Sequence, residues 1–141
     1  MFKKRFLALI CGLVFSLGFA PLDLWVLSIL SISVLLNILN ERSKKETFLI
    51  GYLFGFGMWL TGISWLYVSI HYHGNISIIG SAFLILIFIS ILSLYSGLLF
   101  LLHSYLKLSN FSSLRLLSLP VAWVVIELLR SYLFTGFPWV N

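Results

Sequence analysis

Residues 76–102 read ISIIGSAFLILIFISILSLYSGLLFLL, an apolar run that contains no Asp, Glu, Lys or Arg. The run exceeds the roughly 20 residues that an α-helix needs to cross the hydrocarbon core of a bilayer. Its apolar residues are continuous and do not alternate with polar ones, which favours a helix over a strand of a membrane barrel. This stretch therefore predicts a membrane-spanning α-helix.

The composition of the whole chain agrees with that prediction. Of its 141 residues, 61% are hydrophobic and 9% are charged, whereas about 25% are charged in an ordinary soluble domain. A soluble fold of this size would expose large apolar patches and aggregate. In lipid the backbone amides must be satisfied internally, which helices achieve. The sequence predicts an all-α, polytopic membrane helix bundle.

Five apolar segments predict about five transmembrane helices, at about 6–20, 22–39, 48–70, 76–102 and 116–134. Pro21 separates the first two segments, which are expected to form a tight helical hairpin. Asp23 is expected in the first turn of the second helix, where a carboxylate complements the helix dipole. Residues 71–75 are expected to form a polar turn between the third and fourth helices.

The first segment also resembles a secretory signal peptide. It has a basic start, an apolar middle, and small residues at Gly18 and Ala20, which together fit a cleavage site. Pro21 follows Ala20 directly and disfavours cleavage, and further apolar segments follow. We therefore expect the segment to remain part of the protein.

The placement of Lys and Arg predicts the orientation in the membrane. If the N-terminus is cytoplasmic and five passes alternate, eight of the nine Lys and Arg residues fall on the cytoplasmic side. The opposite side receives Pro21, residues 71–75 and residues 136–141, none of which is Lys or Arg. The net charge of +5 thus reflects topology. The eight cytoplasmic residues are Lys3, Lys4, Arg5, Arg42, Lys44, Lys45, Lys107 and Arg115.

Few residues suggest catalysis or metal binding. Cys11 is the only cysteine, which excludes an internal disulfide and a cysteine-built metal site. No histidine or carboxylate is placed in sequence to activate its thiol. His71 and His73 would point to different faces of a helix. No catalytic residue, metal site or cofactor is predicted.

Glu127 and Arg130 are the only ionisable residues well inside a predicted span. Charges within a membrane are costly, and an ion pair at i,i+3 spacing offsets part of that cost. We interpret them as a structural ion pair that braces the fifth helix. The alternative is a polar contact beneath a functional site.

Small and aromatic residues have packing and interfacial interpretations. Gly51 and Gly55 form a G-x-x-x-G pattern, which predicts close helix packing. Aromatic residues gather near the predicted outer ends of the helices. An interfacial aromatic belt explains most of them, and a lipid-handling surface is the alternative. These aromatics are Trp59, Trp65, Tyr67, Tyr72, Tyr132, Phe134, Phe137 and Trp139.

Residues 127–139, ELLRSYLFTGFPW, resemble the E-x-x-R…T-G-F-P-W signature of bacterial apolipoprotein N-acyltransferases. Three further pieces occur in the order expected of that family. GFAPLDLW at 18–25 resembles its first hairpin, GYLFGFG at 51–57 its glycine-rich helix start, and GISWLYVSI at 62–70 its third-helix motif. The resemblance covers nearly the whole chain.

The resemblance implies an acyltransferase of the bacterial inner membrane. Such enzymes move an acyl chain from a phospholipid to the α-amino group of a lipoprotein's N-terminal diacylglyceryl-cysteine, through a thioester on an enzyme cysteine. The implied partners are therefore a membrane phospholipid as acyl donor and an apolipoprotein as acceptor. Neither nucleic acid, metal nor cofactor is implied.

The resemblance also implies how the chain is organised. The family's catalytic Glu, Lys and Cys belong to a nitrilase-like domain that follows the membrane helices, and no part of that domain lies within residues 1–141. The chain is therefore expected to be the N-terminal transmembrane domain and to be inactive alone. Gly136, Phe137, Pro138 and Trp139 correspond to a periplasmic loop beside the route by which lipid substrates reach the active site.

Two questions stay open at the level of sequence. A non-catalytic membrane protein, such as a transporter subunit or scaffold, is the alternative function. A transporter would show broken helices or paired polar residues at mid-membrane, and here Glu127 and Arg130 lie near one end of a span. The chain itself is expected to be a fragment, a truncated reading frame or one part of a split enzyme.

Overall fold

The computed structural model of the protein describes residues 2–19, 21–40, 42–107 and 117–133. Within these ranges the chain is all-helical and has no strand, which confirms the predicted all-α class. A 3-10 turn, Ser16–Gly18, follows the first helix, and a π-helical turn, Ser69–His73, follows the fourth. The α-helices are α1 (Phe2–Phe15), α2 (Trp25–Leu39), α3 (Lys44–Gly62), α4 (Leu66–Val68), α5 (Ile78–Leu106) and α6 (Ser118–Leu133).

Helix α3 lies at the centre of the bundle. It packs along α1 on one side and along α5 on the other, while α2 contacts α1 and α6 contacts α5. A row of aromatic rings joins the three central helices. Phe54 of α3 packs edge-to-face against Phe15 of α1 and Phe100 of α5, at centroid separations of 5.5 and 5.6 Å.

Glycines set the distance between α1 and α3. A Cβ atom on Gly12 would collide with the carbonyl oxygen of Phe54, and one on Gly57 would collide with the carbonyl oxygen of Leu9. Each glycine therefore faces the backbone of the opposite helix. Such close backbone approach is the way membrane helices gain packing contacts without a hydrophobic driving force.

A second pair of glycines lies on the face of α3 that packs against α5. A Cβ on Gly55 would overlap the side chain of Ser96 on α5, and one on Gly51 would lie 3.0 Å from the Ser96 carbonyl oxygen. The predicted close packing through Gly51 and Gly55 is confirmed.

Helices α1 and α2 form the predicted hairpin, although its turn differs from expectation. The Ser28 hydroxyl of α2 donates to the Phe15 carbonyl of α1 at 2.7 Å. The amides of Leu22 and Asp23 both donate to the Phe19 carbonyl, and Asp23 has a positive φ of 53°. The prediction that Asp23 lies in the first turn of the second helix is wrong, because this reverse turn delays the helix until Trp25.

The third predicted segment, 48–70, is not one continuous helix. α3 ends at Gly62, and the chain bends by 62° before the helical stretch Leu66–His73. The Thr61 hydroxyl donates to the carbonyls of Gly57 and Met58 at 3.1 and 3.2 Å. Such back-bonding, followed by a glycine, weakens the helical ladder at the bend.

The predicted polar turn at 71–75 is shorter than expected. Residues 71–73 complete the π-helical turn, so the irregular connection begins at Gly74. Asn75 within that connection has a positive φ of 51°. Asn tolerates this left-handed conformation better than most residues.

Helix length and composition single out one span among the described residues. α5 has 29 residues and a mean hydropathy of 2.6, sufficient to cross a bilayer, and α3 with Leu66–His73 makes a second if the bent pair is one span. Trp25–Leu39 is apolar but shorter. Residues 116 and 134, the predicted ends of the fifth helix, lie outside the described ranges.

Candidate functional site: a polar cluster between α3, α5 and α6

Glu127 and Arg130 form the predicted ion pair on α6. The Arg130 Nε donates to Glu127 Oε2 at 3.2 Å, and its Nη2 pairs with Glu127 Oε1. The i,i+3 spacing brings the two side chains together on one face of the helix. The side chains differ in exposure, because 8% of Arg130 is exposed against 52% of Glu127. The guanidinium thus points into the bundle and the carboxylate towards its surface.

Arg130 meets an aromatic residue from another helix. Its guanidinium carbon lies 5.5 Å from the ring centre of Trp59, in a cation–π arrangement. Trp59 lies near the end of α3 and is 5% exposed. The interfacial belt, which was expected to explain most of the aromatic residues, does not explain Trp59, because its ring is buried against α6.

A cavity of about 40 Å³ lies beside this contact. Its wall is apolar on most sides, with Phe54, Leu99, Phe100 and Ile126 among the lining residues. Its remaining lining residues are Met58, Trp59, Tyr95, Ser96, Trp123, Glu127 and Arg130. Residues of α3, α5 and α6 therefore line the cavity together, and the polar pair of α6 is among them.

Two buried donors belong to residues that line the cavity. Trp59 Nε1 and Arg130 Nη1 have no hydrogen-bond partner among the described residues. Buried donors are nearly always satisfied in native proteins, because each unsatisfied one costs about 1–3 kcal/mol. Both nitrogens are therefore hydrogen-bond donors that have no acceptor among the described residues.

Cys11 belongs to a different part of the molecule. It is buried on α1, and its carbonyl oxygen accepts a hydrogen bond from the Ser31 hydroxyl at 2.5 Å. It lies among the apolar core residues of the bundle. Cys11 is a packing residue at the contact between α1 and α2.

His71 and His73 have different surroundings. His71 stacks on Tyr67 at a centroid separation of 5.3 Å, and its Nδ1 lies 2.7 Å from the Ile76 carbonyl oxygen. His73 is exposed. Within the described ranges no group of three His, Cys, Asp or Glu side chains could hold a metal ion.

Charged side chains gather at the end of the bundle where α1 and α3 begin. Arg5 Nη2 pairs with Glu46 Oε1 at 2.5 Å. These residues precede the apolar parts of their helices, and hydrogen bonding from Arg5 holds the pKa of the Glu46 carboxyl below its usual range. This pair could not be predicted from the sequence, because nothing in the spacing joins residues on separate helices.

Two lysines bind neighbouring helices at the same end. Lys44 Nζ donates to the carbonyl and hydroxyl oxygens of Ser104 at 3.1 and 3.0 Å, and lies 3.9 Å from the ring centre of Tyr105. Lys107 Nζ donates to Asn40 Oδ1 at 3.2 Å. The starts of α1 and α3 and the ends of α2 and α5 therefore share one end of the bundle.

The predicted loop residues Gly136, Phe137, Pro138 and Trp139 lie outside the described residues, as does Arg115. Their sequence still enters the comparison with known proteins. The profile described as "Apolipoprotein N-acyltransferase N-terminal domain" matches residues 11–141, which include this loop.

The chain belongs to the apolipoprotein N-acyltransferase family.

Curated relatives in the family align along nearly the whole chain. The apolipoprotein N-acyltransferase of Vibrio parahaemolyticus is 38% identical over 138 residues, which cover 98% of this chain and 27% of the relative. The enzyme of that name from Vibrio cholerae is 39% identical over 129 residues, covering 92% and 26%. The one from Coxiella burnetii is 37% identical over 137 residues, covering 95% and 28%. The chain thus spans about a quarter of the length of these relatives.

Proposed function

We propose that this chain is the membrane-embedded N-terminal part of an apolipoprotein N-acyltransferase. The observation that carries the proposal is the family match over residues 11–141. The enzyme would transfer an acyl chain from a phospholipid to the N-terminal diacylglyceryl-cysteine of a lipoprotein. Lipoprotein maturation at the bacterial inner membrane is the process it would serve.

We propose that the chain crosses the membrane about five times, with a cytoplasmic N-terminus. The outward surface of the bundle supports a lipid environment, because large apolar side chains are exposed there. Ile79 is 83% exposed, Phe83 63% and Val124 57%, and water would not tolerate so much apolar surface on a monomer. The gathering of Arg5, Lys44 and Lys107 at one end supports the orientation.

Catalysis would depend on a nitrilase-like domain outside residues 1–141. The only thiol of the chain, Cys11, is buried, and its backbone carbonyl accepts a hydrogen bond from the Ser31 hydroxyl. A thiol needs a nearby base or cation to act as a nucleophile. We therefore expect residues 1–141 alone to lack acyltransferase activity, and the membrane helices to support and orient the catalytic domain.

We propose two roles within the membrane part, a substrate-entrance loop and a structural ion pair. Gly136, Phe137, Pro138 and Trp139 would form a lipid-side loop at the substrate entrance, where flat aromatic surface suits the depth of glycerol and headgroups. Glu127 and Arg130 would brace α6 beneath that loop. Arg130 lies in the last turn of α6, which supports this assignment.

The test uses cells depleted of their own apolipoprotein N-acyltransferase. They receive either residues 1–141 or this chain joined to whatever its gene encodes beyond Asn141, and N-acylation of a lipoprotein is followed by mass spectrometry. We expect N-acylation with the full coding sequence and none with residues 1–141. Turnover by residues 1–141 would overturn the assignment of catalysis to another domain, and its loss in Cys11→Ala would identify an unexpected nucleophile.

A further inference from the structure

One side of α3 faces neither of the two helices that pack along it. Glu46 and Gly57 lie on the side that contacts α1, and Gly51 and Gly55 on the side that contacts α5. A further set of residues recurs at intervals of three and four, which places its members above one another on a third side. None of them is fully buried. This set, the Lys45 row, consists of Lys45, Leu49, Tyr52, Phe56 and Leu60.

The Lys45 row has a charge at one end and apolar surface behind it. Lys45 is exposed and makes no hydrogen bond or ion pair within the described ranges. Leu49, Tyr52 and Phe56 are half-buried, and the rings of Tyr52 and Phe56 lie 6.4 Å apart. At the rise of an α-helix, Phe56 lies about 16 Å along the axis from Lys45. One leaflet contributes about 15 Å of hydrocarbon, so the row covers the depth of one leaflet.

The charge of Lys45 is not compensated by its surroundings. Glu46 is the one described carboxylate at this end of the bundle, and Arg5 already pairs with it. Lys44 and Lys107 donate to neutral oxygens of neighbouring helices. An anionic phospholipid would bring a phosphate to the ammonium group and an acyl chain to the apolar residues behind it. A zwitterionic lipid would add its own amine to a surface that is already positive.

We propose that the Lys45 row binds one anionic phospholipid, with the phosphate at the ammonium group of Lys45 and an acyl chain along Leu49, Tyr52 and Phe56. The lipid would belong to the leaflet at the starts of α1 and α3. In the proposed topology the substrate-entrance loop lies on the other side of the membrane, so this lipid is not the acyl donor. The inference therefore needs the proposed membrane embedding and is independent of the proposed reaction, which the N-acylation assay tests separately.

Photo-crosslinking in bilayers tests the proposed lipid site. The protein with its full coding sequence is reconstituted in phosphatidylcholine that contains a trace of a probe lipid with a diazirine in its acyl chain. The probe is either phosphatidylglycerol, which is anionic, or phosphatidylcholine, and mass spectrometry locates the labelled residues. We expect the anionic probe to label residues 49–60 more strongly than the zwitterionic probe. Equal labelling would show ordinary lipid contact, and no labelling would show that protein covers the row; either result overturns the proposal.

Two lysine substitutions separate a site from the general positive charge of this end. Lys45→Gln should lower the preference for the anionic probe about fivefold, which corresponds to the roughly 1 kcal/mol that one lysine contributes near an anionic surface. Lys4→Gln removes the same charge from α1, where the residues one and two turns further on, Ala8 and Cys11, are buried. No apolar row continues from Lys4, so its loss should leave the preference nearly unchanged. Equal losses in both variants, or no loss in Lys45→Gln, would contradict a site at Lys45.

Discussion

At the scale of single residues, Arg130 combines an ion pair with a contact between helices. It pairs with Glu127, stacks on Trp59 and faces the cavity, all from one position on α6. The i,i+3 spacing was sufficient to predict its ion pair from sequence. Its contact with Trp59 could not be predicted, because the two residues lie on different helices and only the packing of α3, α5 and α6 joins them.

Replacement of Arg130 by Ala should harm folding more than catalysis. It leaves the Glu127 carboxylate unpaired in a medium of low dielectric, at a cost of up to about 3 kcal/mol. In the enzyme with its full coding sequence we expect reduced membrane abundance and a nearly normal transfer rate per molecule. Ser131→Ala is the matched control, since among the described residues its hydroxyl donates to the Leu128 carbonyl of its own helix. An Arg130→Ala enzyme that accumulates normally yet is inactive would assign the pair to function.

Trp139→Ala should have the opposite effect. If the loop lies at the substrate entrance, loss of its aromatic surface should lower the transfer rate per molecule more than the abundance. The rate is measured on purified enzyme with phospholipid and a diacylated lipopeptide. Trp25→Ala serves for comparison, because Trp25 is a tryptophan of α2 with 65% of its surface exposed. A change in abundance alone would make Trp139 a simple interfacial anchor.

At the scale of helices, glycines on both α1 and α3 set the contact between these two helices. A methyl group on Gly12 would meet the backbone of α3, and a backbone cannot move aside as a flexible side chain can. We expect Gly12→Ala to destabilise the bundle by about 1–3 kcal/mol, the usual cost of overpacking, as measured by thermal unfolding in detergent. Ile10→Ala, on the exposed side of α1, should change stability far less. Equal effects would show that the α1–α3 crossing is not tight.

The Arg5–Glu46 pair predicts a pH dependence of the contact between α1 and α3. The pKa of Glu46 is lowered in the folded protein, so its contribution is present above the unfolded-state pKa of the carboxyl and is lost as the pH falls through the folded-state value. Acidification should therefore lower the unfolding temperature, and Glu46→Gln should remove part of that dependence. Lys45→Gln, at the exposed neighbouring position, should leave the pH profile intact. An unchanged profile in Glu46→Gln would contradict the pair.

The sequence predicted which segments are helical better than it predicted where each helix begins and ends. The apolar runs defined each main helix, yet the third run hides a 62° bend. Hydropathy does not report the bend, because Thr61 and Gly62 act on backbone hydrogen bonds and not on polarity. Asp23 shows the same limit, since a turn closed by the Phe19 carbonyl overrides the preference of a carboxylate for a helix start.

At the scale of the whole molecule, the all-α bundle followed from composition, and the family followed from the signature at residues 127–139. The buried Trp59–Arg130 cluster could not be found in this way, because it exists only where three helices converge. The number of passes depends on more than helix length. Among the described helices, α5 is long and apolar enough to span a bilayer, and α3 with Leu66–His73 is a second span if the bent pair counts as one. Shorter helices would need a thinned bilayer or residues beyond their ends to cross.

Reporter fusions to the protein in cells test the proposed membrane arrangement most directly. Alkaline phosphatase, active only in the periplasm, and green fluorescent protein, fluorescent only in the cytoplasm, are each joined after Ser43, Gly74, Lys107 and Asn141. Five passes from a cytoplasmic N-terminus predict fluorescence after Ser43 and Lys107, and phosphatase activity after Gly74 and Asn141. Fluorescence without phosphatase activity after Asn141 would contradict the account.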